Sequence, residues 1–145
     1  MVKNLRVYSV DSSINKRAVH KLLSNLKSDL RLDISFLAIN FIKSSVLITI
    51  NKEYLKHDYY TDVITFNYAK KKNVIDGEIL ISYEDARLNA KRYRATYSKE
   101  LARLVVHGVL HLLNFNDNNK KNKNIMKQME NKLINRYNFI LLAVR

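Results

Sequence analysis

Apolar residues change spacing along this chain, from near-alternation to a three-and-four repeat, and the change marks the elements. Val2 to Val10 alternates in part and predicts a strand. A helix capped by Ser12 or Ser13 follows to about Leu30, with Val19, Leu22, Leu23, Leu26 and Leu30 at helical spacing. Leu32 to Ile42 predicts a second strand. Val46, Leu47, Ile50 and Tyr54 suit a helix capped by Ser44 or Ser45, yet the β-branched run from Val46 to Ile50 suits a strand. Asp62 to Tyr68 and Glu78 to Ser82 read as two more strands, a hairpin-like or neighbouring pair joined through the basic segment Ala69 to Asn73. From Glu84 the period lengthens, with Ala86, Ala90, Tyr93 and Tyr97 on one stripe and Glu84 and Asp85 where a helix N-terminus favours anions. Another helix follows Ser98 to about Leu113. After an Asn/Lys-rich loop, Asn114 to Asn124, the last helix places Met126, Met129, Leu133 and Tyr137 on one face.

Strands come mostly early and helices late. That order predicts an α+β fold, a small mixed sheet of about four strands covered by helices. The 145 residues fit one domain, 1–145, without internal repeats. With 47% hydrophobic residues spread along the chain, a core can form without staples. Cysteine is absent, so any metal ligands must be nitrogen and oxygen. The N-terminus lacks a signal-peptide core, and the longest apolar run, Phe139 to Val144, is far below the ~20 residues of a spanning helix. The expectation is a soluble cytoplasmic protein with no membrane partner. Lysine and arginine number 26 against 13 acids, a net charge of +13 that attracts polyanions. Base composition accounts for such an excess equally well, since the chain is crowded with Lys, Asn and Ile and has no proline.

The chemistry concentrates in Leu104 to Asp117. His107 and His111 are four apart, so on a helix they share a face about 6 Å apart along the axis and can grip one cation. Gly108 between them implies close approach of backbone or substrate. A third ligand is required, and Asp117 lies just past the predicted helix end, where the chain can turn back. Two histidines and a carboxylate with a fourth position for water form a catalytic zinc arrangement, in which the bound water is the reacting group. Position 108 is glycine rather than glutamate, so the adjacent general base of a metalloprotease is missing. The bland alternative is two partly buried histidines on an apolar helix and an unrelated loop acid. Arg87, Lys91 and Arg94 form a basic stripe beside Tyr93 and Tyr97, readable as an RNA contact or as a solvated face. Lys120, Lys121 and Lys123 fit a solvated loop, and Thr61 and Asp62 a capping or orienting role.

The run His107-Gly-Val-Leu-His111-Leu-Leu-Asn-Phe-Asn-Asp117 resembles the signature of the YbeY family, His-Gly-x-Leu-His-Leu-x-Gly-Tyr-Asp-His. Upstream, Asn51-Lys-Glu-Tyr54, Asp58-Tyr-Tyr-Thr-Asp-Val-Ile-Thr-Phe66 and Gly77-Glu-Ile-Leu-Ile-Ser82 are similar to further family blocks in the same order. The resemblance implies a metal-dependent endoribonuclease that acts on single-stranded RNA in rRNA maturation. It implies one divalent ion, zinc, and the small ribosomal subunit as partner, with no DNA. The family's third histidine falls on Asp117, which resembles the Bacteroidetes-type variant and shifts preference toward harder ions. Asn114 replaces a family glycine and tolerates left-handed backbone. Leu55 replaces an arginine thought to handle phosphate, a task that Lys56 or His57 would inherit, with His57 also placed to assist catalysis. Two other readings compete: a non-catalytic, metal-stabilised RNA- or ribosome-binding protein, and a metal-dependent hydrolase of a substrate other than RNA.

Overall fold

The computed structural model describes residues 1–56, 61–137 and 141–142. His57 and Asp58 therefore lie outside the described residues, as does most of the apolar run at the C-terminus. The elements follow in the order β1 (Leu5–Ser9), α1 (Lys16–Asp29), β2 (Asp33–Ile42), α2 (Ser44–Tyr54), β3 (Val63–Asn67), β4 (Val74–Ser82), α3 (Tyr83–Arg92), α4 (Tyr97–Leu112) and α5 (Lys120–Arg136). Among the described residues the four strands form one sheet, ordered β1-β2-β4-β3. β1, β2 and β4 are parallel, and β3 runs antiparallel to β4 with Ile64 opposite Leu80. The α+β expectation with a small mixed sheet holds.

The central strands carry buried side chains on consecutive positions, Leu37-Ala-Ile in β2 and Ile79 to Ser82 in β4. Such runs mark strands covered on both faces. One face bears the main core, where Ile39, Phe41, Ile79 and Ile81 meet Leu22 and Leu26 of α1 and Val105 and Val109 of α4. The other carries a smaller cluster in which Leu47 of α2 packs on Ile64 and Leu80. Gly108 belongs to the main interface: a Cβ there would sit 2.7 Å from Ile79 Cγ2. The close approach expected of this glycine comes from the sheet.

Several boundaries differ from the sequence expectation for identifiable reasons. α1 begins at Lys16 under an Asn15 cap that accepts from Ala18 N at 3.2 Å, later than Ser12 or Ser13. Residues 11–13 instead make a turn, closed by Ile14 N–H on Asp11 O at 3.2 Å, and the next two residues are tied outward by an Ile14–Leu142 bridge and by Asn15 N donating to Leu141 O at 2.7 Å. The ambiguous segment after β2 is helix α2, capped by neither serine. Its first-turn Ser44 N–H donates instead to Glu84 Oε1 of α3 at 2.8 Å, an acceptor and a negative charge placed where a helix N-terminus wants both. The stripe Ala86, Ala90, Tyr93, Tyr97 is broken, because α3 ends at Arg92 and Arg94 takes a left-handed φ of 53°. Ala95 N–H then closes back on Ala90 O at 2.9 Å, and α4 starts afresh under a Thr96 cap. α5 begins at Lys120 under Asn119, four residues before the expected Asn124, so half of the supposed loop is helix.

Candidate metal centre

α4 is a 16-residue helix whose apolar side, including Leu101, Leu104, Val105 and Val109, is buried. That anchoring turns His107 and His111 toward the opposite side, where they stay partly exposed over β3. Their rings meet edge to face, centroids 4.6 Å apart, with Nε2 to Nε2 at 3.0 Å. The helix then ends in a reversal: Phe115 N–H reaches Leu110 O and Asn114 N–H reaches His111 O, both at 3.0 Å, with Asn114 at φ 70°. This six-to-one closure through a left-handed residue satisfies the last carbonyls and folds the chain back. Asn67 at the end of β3 secures it, donating Nδ2–H to Leu112 O at 3.3 Å.

The reversal brings Asp117 Oδ2 to 3.9 Å from His107 Nε2 and 3.8 Å from His111 Nε2. One ligand atom from each of the three residues lies within 4.8 Å of the others. Metal–ligand bonds of about 2.0–2.2 Å place the donor atoms of a four-coordinate ion roughly 3.3 Å apart, so the donor set fits a single divalent cation after small side-chain adjustments. With neither thiolate nor thioether among the three, it suits zinc or a harder ion.

A fourth residue, not anticipated from the sequence, supports the set. Glu130 of α5 is buried, and its Oε2 lies 2.6 Å from His107 Nδ1. An ionised carboxylate only accepts, so it fixes the His107 proton on Nδ1 and leaves the Nε2 lone pair facing His111 and Asp117. Its other oxygen accepts from Arg103 Nη1 at 3.1 Å, while Arg103 Nε donates to Glu100 at 3.1 Å. The signal was available: Glu130 sits on the inward stripe with Met126, Leu133 and Ile134, a carboxylate at a core position. Burial, and secondarily the neighbouring His107, lower the pKa of His111 against the opposing pull of Asp117 and Glu130. His111 is therefore neutral near pH 7, the form that ligates metal.

The triad opens on a cleft of about 420 Å³ between α4, β3 and the end of α2, walled by Leu55, Asp62, Ile64 and Thr65 among others. Asp62 Oδ2 accepts from Asn89 Nδ2 at 2.9 Å, and Thr61 Oγ1 donates to Val63 O at 2.8 Å at the start of β3. Among the described residues no arginine or lysine lines this cleft. Lys56 follows Leu55 with a left-handed φ of 54°. Arg87 and Lys91 line a separate hollow with Leu88 and Tyr97. Arg87 is engaged there, 3.1 Å from Asp11 Oδ2 and stacked 4.9 Å over the Tyr97 ring. Arg94 is exposed beyond the end of α3, so the three cations do not share one helix face.

Comparison with known proteins agrees with this geometry. The profile of the family described as "Endoribonuclease YbeY" matches residues 3–138. A relative of that name from Bacteroides thetaiotaomicron is 35% identical over 121 residues, covering 83% of this chain and 88% of its own. One from Parabacteroides distasonis is 39% identical over 102 residues, covering 70% and 69%. Among solved structures, the solution structure of TM1509 from Thermotoga maritima superposes with a TM-score of 0.61 at 21% identity, covering 90% of this chain and 86% of that one, and shares the fold.

Proposed function

Because the chain belongs to the YbeY family of endoribonucleases, we propose that it cuts single-stranded RNA with the aid of one divalent cation, zinc, held by His107, His111 and Asp117. The work it would do is rRNA processing in the cytoplasm, with the small ribosomal subunit as partner. The observation that carries the reading is the convergence of three ligand atoms within 4.8 Å at the wall of an open cleft, backed by a buried carboxylate. A bound divalent ion supplies Lewis acidity to a phosphodiester and to water at neutral pH. The chain's own residues do the rest. Glu130 and Arg103 hold the His107 ring in one tautomer, and the Asn114 reversal delivers Asp117. Lys56, Lys91 and Arg94 are exposed cations available to phosphates away from the reacting bond, and Arg87 would have to leave Asp11 to join them.

A second reading, a metal-stabilised RNA-binding protein without catalysis, draws on the cleft's lack of a described cation, with Leu55 at its wall. Cleavage assays on single-stranded and duplex RNA, with chelator and then metal add-back, separate the two. Cleavage that chelator removes and zinc restores supports the nuclease. Binding without cleavage in every metal tested supports the alternative. His111→Ala is expected to lose bound metal and cleavage together while keeping most RNA affinity, which rests on phosphate contacts.

A further inference from the structure

Where the described residues of the cleft include no lysine or arginine, a neighbouring groove supplies them. α4 and α5 pack side by side and leave between them a groove of about 510 Å³ that runs from Tyr93 and Lys99 to His107 and Asp117, so it ends on the metal ligands. Two of the three acids that line it are paired, and the third, Asp117, faces the two histidines. Glu100 is paired with Arg103, and Glu130 is shared between Arg103 and His107. The lysines on its rim are not: among the described residues no acidic group lies within 4 Å of Lys99, Lys123 or Lys127. All three are exposed, and they come from both helices, Lys99 from α4 and Lys123 and Lys127 from α5. Arg103 thus offsets part of the floor's negative charge from within, while positive charge on both walls faces solvent. Free positive charge on the rim, with the buried carboxylates below it tied into internal pairs, attracts a polyanion.

We propose that the α4–α5 groove is the track along which single-stranded RNA reaches the metal ligands, with Lys99, Lys123 and Lys127 contacting phosphates beside the bond to be cut. The proposal rests on the nuclease reading and adds to it cations that no described residue supplies in the cleft. It also moves the principal RNA contact from the α3 stripe, where Arg87 is committed to Asp11, to a surface continuous with the site.

The test compares K99A/K123A/K127A with a control, K3A/K21A/K27A, that removes the same charge near α1. Fluorescence anisotropy with a labelled single-stranded RNA in chelator gives affinity and its salt dependence, and steady-state cleavage by zinc-loaded protein gives KM and kcat. The groove variant is expected to bind about tenfold more weakly at fixed salt and to lose about 2 from the slope of log affinity against log salt. Its KM should rise with kcat kept within about twofold, and its zinc content and melting temperature should match the parent. Parental affinity and salt slope in the groove variant, or an equal loss in the control, would overturn the track. If the parent cleaves no RNA with any metal, the nuclease reading falls while the anisotropy comparison still decides where RNA lies.

Discussion

At the scale of single residues, the site depends on atoms that never touch the ion position. Glu130 holds the Nδ1 proton of His107, and in doing so aims the other nitrogen. Glu130→Gln keeps the shape but removes the charge and lets an amide N–H face Nδ1. Zinc affinity should fall by about 10–100-fold, measured by competition with a chromophoric chelator, with little change in far-UV circular dichroism. Unchanged zinc affinity would show that the glutamate serves only the Arg103 pair. Asp117, His107 and His111 could be singled out as a candidate set, from spacing together with the family resemblance, because they lie within eleven consecutive positions of one helix and its cap. Glu130 was not read, although a carboxylate on an apolar stripe is itself a signal, because its partner lies 23 residues away on another helix.

At the scale of elements, the ends of helices decide where functional side chains go. Asn114 occupies the left-handed position that closes α4 and returns the chain toward the histidines. Asn114→Ala should cost about 1–2 kcal/mol, seen as a lower midpoint in urea, and should weaken zinc binding because Asp117 hangs from that turn. A glycine at the same position should restore both. Another tie links the end of β1 to α3 and α4 through Asp11, which accepts from Ser13 N at 2.9 Å, Ser13 Oγ at 2.7 Å, Tyr97 Oη at 2.7 Å and Arg87. Burial alone would raise this carboxyl, but the Ser13 and Tyr97 hydrogen bonds and the Arg87 charge outweigh it and hold the pKa below the usual value. A depressed folded-state pKa means that the unfolded chain takes up the proton first. The contribution is therefore fully present above about pH 4 and is lost as pH falls through the folded value. Asp11→Asn should flatten that part of the acid limb of the stability curve; an identical acid limb in both proteins would assign the loss to other carboxylates.

At the scale of the whole molecule, α4 is the shared element: it packs on the sheet, on α3 and on α5 while presenting the ligands. An ion that joins this helix to the segment after it should stabilise the folded state alone. Zinc at one hundred times its dissociation constant should add about 2.7 kcal/mol, a rise of several degrees in melting temperature that chelator reverses and Asp117→Ala abolishes. What the sequence determined by itself is short-range: which stretches are helix or strand, α2 apart, the α+β class, and three candidate ligands brought together by one helical turn and one reversal. Local periodicity and spacing carry that information. Tertiary structure decided the rest. The β-branched run of α2 is helical where Glu84, forty residues on, accepts from its first turn and Leu47 packs on Ile64 and Leu80. The α3 stripe was broken by a left-handed turn at a residue that is not glycine. Glu130, Lys123 and Lys127 reached the candidate ligands only through the docking of α5 against α4. These outcomes depend on packing between segments distant in the chain, and such packing leaves no mark on local spacing.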